Sequence, residues 1–398
     1  MASMHLISRI PEHAASYKKT RYDHYTFALT HYNAALRDIA SILSHGVPHH
    51  TYRDVFLICS ILFTSIAVLS GATDEIMLHA RSALHLFYQW KFWEDGGTRR
   101  DTQPGPLLTN KSAFVRLMSR LEAQIMWRGC IRDWNDPAQV RLPSSRPFQS
   151  TMDAYVEMQT LISAMTEFHR LALQNSDAKH EIRPIQDSYG LHAQAVTMWR
   201  AKYRELRRSQ QPNEHELIPD FVVRIWLTWF EKALGLCAEK DWCCQIALNP
   251  IYEEVLKLAE KTADSTTDGM SLQNPILGGF SYGPSVCEPL QMVAIHRESA
   301  QSHRAIALLR RLGRNEGLWD TGFMASFAEA RTMVEESLDE SLATSKKRPC
   351  GFGQLGCTCG RVVDLSIEFL ETKAARVRLR ALDEALGHSS EHIRDISW

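Results

Sequence analysis

The chain has 398 residues, of which 44% are hydrophobic, and its 45 basic and 46 acidic residues give a net charge of -1 at pH 7. Its aromatic content, 10 Trp, 15 Phe and 11 Tyr, is sufficient for a large core, whereas its length allows either two or three average domains or one large helical domain. The charge balance lacks the basic excess that a nucleic-acid-binding surface usually needs, so we expect no direct DNA binding.

The apolar segments of the sequence predict neither a membrane span nor a secretory signal. The longest apolar run, Val55 to Leu69, contains two serines and a threonine and is shorter than the ~20 residues that a transmembrane helix needs. The segment from Met1 to His13 has no basic stretch followed by an apolar one. Nine scattered cysteines, an odd number, favour reduced thiols over a disulfide framework. We therefore expect an intracellular protein, located in the cytoplasm.

Helical periodicity runs through the first half of the chain. The first apolar pattern ends before Gly46 and Pro48, and a buried apolar helix follows it. The sequence Thr73-Asp74-Glu75 is typical of a helix start. Two segments rich in turn residues, Glu94–Pro106 and Asp133–Ser150, are predicted to be irregular. The helices predicted in this half are Phe27–Ser44, Tyr52–Ser70, Thr73 to about Trp93, Ser112–Arg128, Met152–Leu173 and Gln186–Arg208.

Two helices of opposite character follow, and they form the centre of the predicted fold. Between Phe221 and Ala238 the sequence is apolar on nearly all sides, which predicts a helix inside the protein. Asn249 and Pro250 predict the start of the next helix, whose charges fall at helical spacing along Glu253 and Lys257. Aromatic side chains beside carboxylates and ammonium groups are typical of a pocket for an apolar molecule with a charged end. They are equally typical of a core helix beside a solvated one.

The last part of the chain combines helices with a change to period 2. Asp264–Pro284 has four glycines and no period, so it is predicted to be a long loop. Apolar residues alternate with polar or charged ones from Val363 to Phe369 and from Arg376 to Arg380. This pattern predicts a two-stranded hairpin with acids opposite arginines. The helices predicted in between are Val286–His296, Ser299–Leu312 and Thr321–Leu338.

The predicted fold class is therefore all-α, a single multi-helix domain with a small C-terminal β-hairpin. We assign residues 1–26 to an N-terminal arm and residues 27–345 to the α-helical domain. Residues 346–398 are assigned to a Cys/Gly-rich turn and the terminal hairpin. The sequence leaves the oligomeric state open.

Four short segments of the chain resemble a known family. His31–Leu36 and His79–Leu86 resemble the opening of the C-terminal regulatory domain of fungal zinc-cluster transcription factors. The run Arg304–Arg310, followed by the Glu-Gly-Leu-Trp-Asp sequence of Glu316–Asp320, resembles a second signature of the same domain. Those factors bind DNA through six cysteines that hold two zinc ions, and this chain has no such cluster. The resemblance therefore implies the regulatory fold without the DNA-binding module.

The same fold is found in a group of enzymes that the chain also resembles. It is similar to the noncanonical humulene synthases of fungal tropolone sesquiterpenoid pathways in length, helical content and lack of a DNA-binding module. That similarity implies cyclisation of farnesyl diphosphate, a small prenyl diphosphate, with Mg2+ and a lysine holding the diphosphate. The aspartate-rich motif usual in terpene cyclases is absent, which this family tolerates. The alternative is a transcriptional co-regulator, located in the nucleus, that acts through a protein partner.

The implied reaction makes specific demands on the charged residues. Ionising an allylic diphosphate needs cations that stabilise the leaving group, and Mg2+ prefers oxygen ligands. Lys240, after the aromatic helix, is the candidate catalytic lysine, although a cation at a helix C-terminus is the alternative. Asn249 and Glu253, at i and i+4, are the candidate Mg2+ ligands, with an N-cap and a surface ion pair as the alternative. The other acids, supported by position alone, are Asp187, Glu231, Asp241 and Asp264.

The carbocation that follows ionisation needs a dry pocket with aromatic faces, since a desolvated cation over a ring gains ~2 kcal/mol or more. Leu236, one turn before Lys240, is predicted to shape the folded prenyl chain. An aromatic stripe is more often core than pocket, so at least two of the wall candidates are expected to be plain packing. The candidates are Trp226, Trp229, Phe230, Met198 and Trp199, with Phe280 and Tyr282 of the glycine-rich loop closing over the substrate.

Overall fold

The computed structural model describes most of the helices and strands of the chain. The described residues are 15–44, 49–70, 73–90, parts of 114–124, 143, 145–159, 161–162, 183–213, 216–239, 249–267, 280–281, 286–295, 299–313, 315–344, 361–371, 373–383 and 388–398. The chain divides into two compact units, Met1–Ile125 and Met126–Trp398. The predicted boundaries at residues 26 and 345 stay predictions.

The first unit contains three long helices, α1 (Ala15–Ser44), α2 (His49–Ser70) and α3 (Thr73–Gln89). The predicted starts of α2 and α3 agree with the structure to within three residues. Helix α1 begins well before the predicted Phe27, because its first turns are polar and carry no apolar period. Phe56 and Leu57 of α2 and Phe87 of α3 are at most 3% exposed, so the α2–α3 hairpin holds the core of this unit.

The helices of the second unit surround the predicted central helix. They are the helical residues 151–159, then α4 (Arg183–Ser209), α5 (Leu217–Glu239), α6 (Asn249–Thr267), α7 (Cys287–Ala294), α8 (Ser299–Leu312) and α9 (Thr321–Thr344). Helix α5 packs against α4, α6 and α7. Val223 and Ile225 are 0% exposed and Phe230 is 2% exposed, which confirms that α5 is a buried helix.

The start of α5 is fixed by a capping box in the sequence before it. The amide of Glu216 donates to the side chain of Asn213 at 3.1 Å, and the amide of Asn213 donates back to the Glu216 carboxylate at 3.3 Å. Pro219 then lies in the first turn, where its missing N–H leaves no helical hydrogen bond unmade. The other oxygen of Glu216 accepts from the amide of Thr151 at 3.0 Å, which ties this helix end to the 151–159 helix.

Part of the predicted loop Asp264–Pro284 is wrong. Helix α6 continues to Thr267, because Thr262 and Ala263 are buried, at 0% and 1% exposed, and Asp264 is paired with Arg311 at 2.6 Å. Two further residues form the short strand β1 (Phe280–Ser281). The remaining predicted loop residues lie outside the described residues.

The Glu-Gly-Leu-Trp-Asp sequence forms a tight turn between β2 (Asn315–Glu316) and β3 (Trp319–Asp320), with β1 parallel to β2. Gly317 has φ 58°, a conformation that favours glycine. Glu316 is 0% exposed and accepts a 3.2 Å hydrogen bond from the amide of Cys287, at the start of α7. Asp320 accepts from the amides of Gly322 and Phe323 at 2.7 Å and 3.3 Å. This signature therefore caps two helices.

The C-terminal sheet is antiparallel, with β4 (Arg361–Glu371), β5 (Ala374–Asp383) and β6 (His388–Ser397) in that order. The predicted hairpin is confirmed, and Asp364 pairs with Arg380 and Glu368 with Arg376. The sequence analysis missed the third strand, whose polar residues give only a weak period of two. Val377 and Leu379 of β5 are fully buried with Phe323 of α9 in one apolar cluster.

The predicted fold class is confirmed, since the described chain is mostly helical with a small antiparallel sheet near its C-terminus. In the described ranges, no helix combines the length and the apolar character that crossing a lipid bilayer demands.

Candidate functional site

The candidate site is built on the pair of helices α5 and α6, which run antiparallel. Trp229 stacks on Tyr252 with ring centroids 6.2 Å apart and planes at 21°. Arg224, five residues before Trp229 on α5, lies 3.5 Å from Glu254, which is two residues after Tyr252 on α6. Residue numbers therefore increase along α5 in the direction in which they decrease along α6, so the two helices are antiparallel. The start of α6 lies beside the second half of α5, where the sequence analysis placed the aromatic walls.

Three of the predicted wall residues lie in the hydrophobic core of the second unit. Trp226 is 5% exposed and packs on Phe230, with ring centroids 5.6 Å apart. Trp199 of α4 is 0% exposed and contacts Phe148 and Tyr203, with centroids at 5.5 Å and 5.2 Å. These contacts alone give the three side chains an ordinary packing role.

Two other wall candidates, Trp229 and Met198, are only partly buried. Trp229 packs against the border of the core, and the Tyr252 ring fixes the orientation of its indole. Among the predicted walls, Trp229 is the one whose ring combines partial exposure with a fixed orientation, so it has the geometry that a contact with a ligand needs. The backbone of Phe280 lies in strand β1, and its side chain lies outside the described ones.

Trp199 carries a buried polar atom without a partner. Its indole Nε1 makes no hydrogen bond, and the residue is fully buried. An unpaired buried donor costs about 1–3 kcal/mol, so such a group is usually satisfied by water or a ligand. A single ordered water molecule beside this atom would satisfy it.

Glu253, the predicted Mg2+ ligand, is engaged in an ion pair. Arg304 of α8 donates to Glu253 at 2.7 Å and to Glu260 at 2.9 Å, so one guanidinium bridges two carboxylates of α6. The hydrogen bond that Arg304 donates to Glu260, followed by the one to Glu253, raises the pKa of Arg304 above its usual value. The three side chains are 35–40% exposed. Sequence spacing did not pair Arg304 with Glu253, because the partner comes from another helix.

The other described acid candidates are also paired. Glu231 lies 2.9 Å from Arg200, and Asp264 lies 2.6 Å from Arg311. The structure describes only the backbone of three further candidates, and their side chains lie outside the described ones. They are Asp187 in α4, Leu236 in α5 and Asn249 at the start of α6. Lys240, Asp241 and Tyr282 lie outside the described residues.

A buried polar network at the other end of α5 was missed by the sequence analysis. The Tyr203 hydroxyl donates a short hydrogen bond to Asp220, and Arg207 Nε lies 3.2 Å from the same carboxylate oxygen. Arg207 also donates to the hydroxyl of Thr151. Burial, followed by the charge of Asp220, raises the pKa of Tyr203 far above its ordinary 10.0. The available signal was the spacing of Tyr203 and Arg207, one helical turn apart on α4.

A magnesium ion would need oxygen ligands grouped around one point. Within the part of the chain that the structure describes, no three His, Cys, Asp or Glu side chains are grouped closely enough to hold a metal ion. The one predicted ligand among them, Glu253, already binds a guanidinium. Glu253 could therefore take part in a Mg2+ site only by exchanging Arg304 for the ion.

Comparison of the chain with family models, with curated proteins and with solved structures found no match in any of the three.

Proposed function

We propose that the protein is a sesquiterpene cyclase that converts farnesyl diphosphate into a macrocyclic hydrocarbon of the humulene type and diphosphate. The resemblance of the sequence to noncanonical humulene synthases motivates the proposal. The observation that supports it is the antiparallel packing of α5 on α6, fixed by the Trp229–Tyr252 stack. This packing puts an aromatic helix beside a charged one at the end that precedes Lys240.

The proposed chemistry assigns one task to each part of this helix pair. Heterolysis of the allylic carbon–oxygen bond leaves the electron pair on the diphosphate, and the ammonium of Lys240 stabilises the added negative charge. The allylic cation closes a ring by bonding to a distal double bond and then loses a proton. The face of Trp229 stabilises the positive charge, and the apolar side chains of α5 exclude water that would otherwise trap the cation.

The direct experiment is an assay with farnesyl diphosphate and Mg2+ under an organic overlay, analysed by gas chromatography with mass spectrometry. We expect a cyclic hydrocarbon with fifteen carbons and release of diphosphate. A heat-denatured sample is the control for non-enzymatic solvolysis. If neither Mg2+ nor Mn2+ gives a hydrocarbon from prenyl diphosphates of ten, fifteen or twenty carbons, the proposal is wrong.

The second candidate is a co-regulator of transcription without its own DNA-binding domain. It is favoured by the structural roles of the segments that resemble regulatory domains. Tyr32 and His79, one from each of the first two segments, share a 2.7 Å hydrogen bond, and Glu316 and Asp320 cap helices. These roles build a scaffold and need no catalysis. Capture of a zinc-cluster transcription factor by the tagged protein, together with a negative cyclase assay, would favour the co-regulator. In that case we expect nuclear rather than cytoplasmic location.

A further inference from the structure

Aromatic rings from all three helices of the first unit meet at one point. The Tyr32 ring of α1 lies 4.8 Å from the Phe63 ring of α2, and the Phe63 ring lies 5.5 Å from the His79 ring of α3, between centroids. The Tyr32 hydroxyl lies 2.7 Å from Nε2 of His79. A hydrogen bond between residues 47 positions apart thus joins α1 directly to α3.

The described side chains of α1 are buried less deeply than those of α2 and α3. None of its described side chains is fully buried, and Phe27 is 65% exposed. By contrast, α2 and α3 bury side chains such as Leu57, Phe63 and Phe87 to 6% exposure or less. Because hydrophobic stabilisation follows the apolar area removed from water, α1 is bound more weakly than the other two helices are to each other. The Tyr32–His79 hydrogen bond therefore adds to the docking of a helix whose apolar contact is shallow.

The charges around His79 make this contact sensitive to protons. Burial lowers the pKa of His79 below its ordinary 6.5, and the nearby Glu75 of the same helix acts in the opposite direction. Helix α1 contributes Tyr32, whose own pKa is raised by burial and then by Glu75. Helix α2 contributes Phe63 and, one turn earlier, the half-buried thiol of Cys59, whose pKa burial raises. Among the described residues, Glu75 is the carboxylate that acts on the pKa of His79, and its effect is smaller than that of burial.

Protonation changes what the imidazole can do for Tyr32. The neutral ring accepts the hydroxyl proton at Nε2 when its own proton is on Nδ1, whereas the imidazolium has no acceptor. The bond then survives only with the tyrosine oxygen as acceptor, and a charge is left among aromatic rings. Undocked His79 binds a proton more readily than docked His79. The free energy of docking is therefore fully present above about pH 6.5 and decreases as the pH falls.

We propose that α1 is a detachable helix, held on the α2–α3 hairpin by the Tyr32–His79 contact and released when His79 is protonated. Release frees the hydroxyl of Tyr32 and exposes Phe63, which is 6% exposed when α1 is docked. The device is independent of catalysis, so it stands or falls separately from the proposed function.

Hydrogen exchange of the full-length protein, followed by mass spectrometry, tests the proposal. The exchange rates of the amides of residues 26–44 are measured at about pH 7.5 and about pH 5.5 and corrected for the intrinsic pH dependence of exchange. They give the equilibrium constant for local opening of α1 at each pH. We expect the opening equilibrium of α1 to rise about fivefold on acidification, because docking then leaves an imidazolium among aromatic rings, while that of α6 stays constant. An equal rise in both helices would indicate global destabilisation and overturn the proposal.

Two variants separate His79 from the other histidines. His79→Gln keeps a hydrogen-bonding side chain that does not titrate, so α1 should lose its pH response. His85→Gln, at an exposed position of the same helix, is the matched control and should keep the full response. A response that persists in His79→Gln overturns the proposal. Should that variant fold poorly, titration of the wild-type His79 ring by nuclear magnetic resonance decides: a pKa at or above 6.5 also overturns it.

Discussion

At the scale of the residue, Glu253 and Glu260 offer a direct comparison, because the carboxylate of each accepts one hydrogen bond from Arg304, at 2.7 Å and 2.9 Å. Their exposure is similar, at 35% and 37%, so the loss of either ion pair should cost at most ~1 kcal/mol of stability. If Glu253 also binds Mg2+, Glu253→Gln should raise the Mg2+ concentration needed for turnover tenfold or more, about 1.4 kcal/mol. Glu260→Gln should leave this requirement unchanged.

The measurement is turnover against Mg2+ concentration for both variants, with unfolding in urea as the stability control. Equal and small effects of the two substitutions on the Mg2+ requirement would show that Glu253 serves only as a partner of Arg304. The proposed cyclase activity could then still hold, with the metal bound elsewhere.

Lys240 and Leu236 are predicted to have separable effects on the reaction. Lys240→Ala should reduce turnover by two or more orders of magnitude, since a charge-assisted contact of roughly 3 kcal/mol is worth that factor in rate. Leu236→Ala should change the product distribution without abolishing turnover, because the side chain would shape the folded prenyl chain. Gas chromatography reads both results in one assay. Full activity of Lys240→Ala would exclude this lysine as the diphosphate ligand but leave the enzyme class open.

The raised pKa of Tyr203 predicts that the folded protein loses stability at alkaline pH. Burial and Asp220 raise this pKa in the folded protein, so folding is favoured by the protonated phenol. The stabilisation is complete below pH 10.0, the ordinary value, and is lost as the pH rises above it. Tyr203→Phe should remove this alkaline dependence and should cost ~1.5–3 kcal/mol near neutral pH, because it deletes a hydrogen bond to a charged group. Unfolding in urea at several pH values measures both effects, and an unchanged pH dependence would contradict the assignment.

At the scale of the element, one carboxylate of α9 secures the C-terminal sheet. Glu335 is 7% exposed and accepts hydrogen bonds from the amide of Val362 at 3.1 Å and from Arg331 at 3.0 Å. Arg331 also donates to the Val362 carbonyl at 3.3 Å. Two side chains of α9 thus bind both backbone polar groups of Val362, near the start of β4.

Glu335→Ala should therefore destabilise the second unit by about 1–3 kcal/mol, since it leaves the buried amide of Val362 without its acceptor and removes the carboxylate partner of Arg331, which keeps the Val362 carbonyl. Glu336→Ala, at the next and exposed position, is the matched control and should change stability by less than ~0.5 kcal/mol. Urea unfolding followed by tryptophan fluorescence compares the two. Similar small effects would mean that the apolar contacts of Phe323, Val377 and Leu379 alone hold the sheet.

At the scale of the whole molecule, the balanced charge predicts that the protein does not bind duplex DNA specifically. The 45 basic and 46 acidic residues leave no net attraction to phosphate. In the described part, Arg304 and Arg311 of α8 are paired with carboxylates of α6, and Arg376 and Arg380 of β5 have acidic residues in register on both neighbouring strands. A gel shift at moderate salt should show no complex that resists rising salt. A sequence-specific, salt-tolerant band would contradict this prediction and favour a regulator with its own DNA-reading element.

The long helices and the β4–β5 hairpin could be predicted from the sequence alone. Period 3.6 predicted the long helices, the apolar surface of Phe221–Ala238 predicted that α5 is buried, and period 2 predicted β4 and β5 with their register of acids against arginines. These features are local, because they follow from side chains a few positions apart. Strand β6 and the beginning of α1 escaped prediction since their residues are mostly polar and carry little period.

Tertiary structure alone decided which side chains meet. Glu253 was predicted as a metal ligand from its place on α6, but its contact with Arg304 spans 51 positions and depends on how α8 packs. The same holds for Trp229 on Tyr252, for Tyr32 with His79 and for Tyr203 with Asp220. Spacing along one helix defines a face, whereas the partner of that face comes from another helix. Chain connectivity and packing choose that partner, and they are not encoded in any short stretch of sequence.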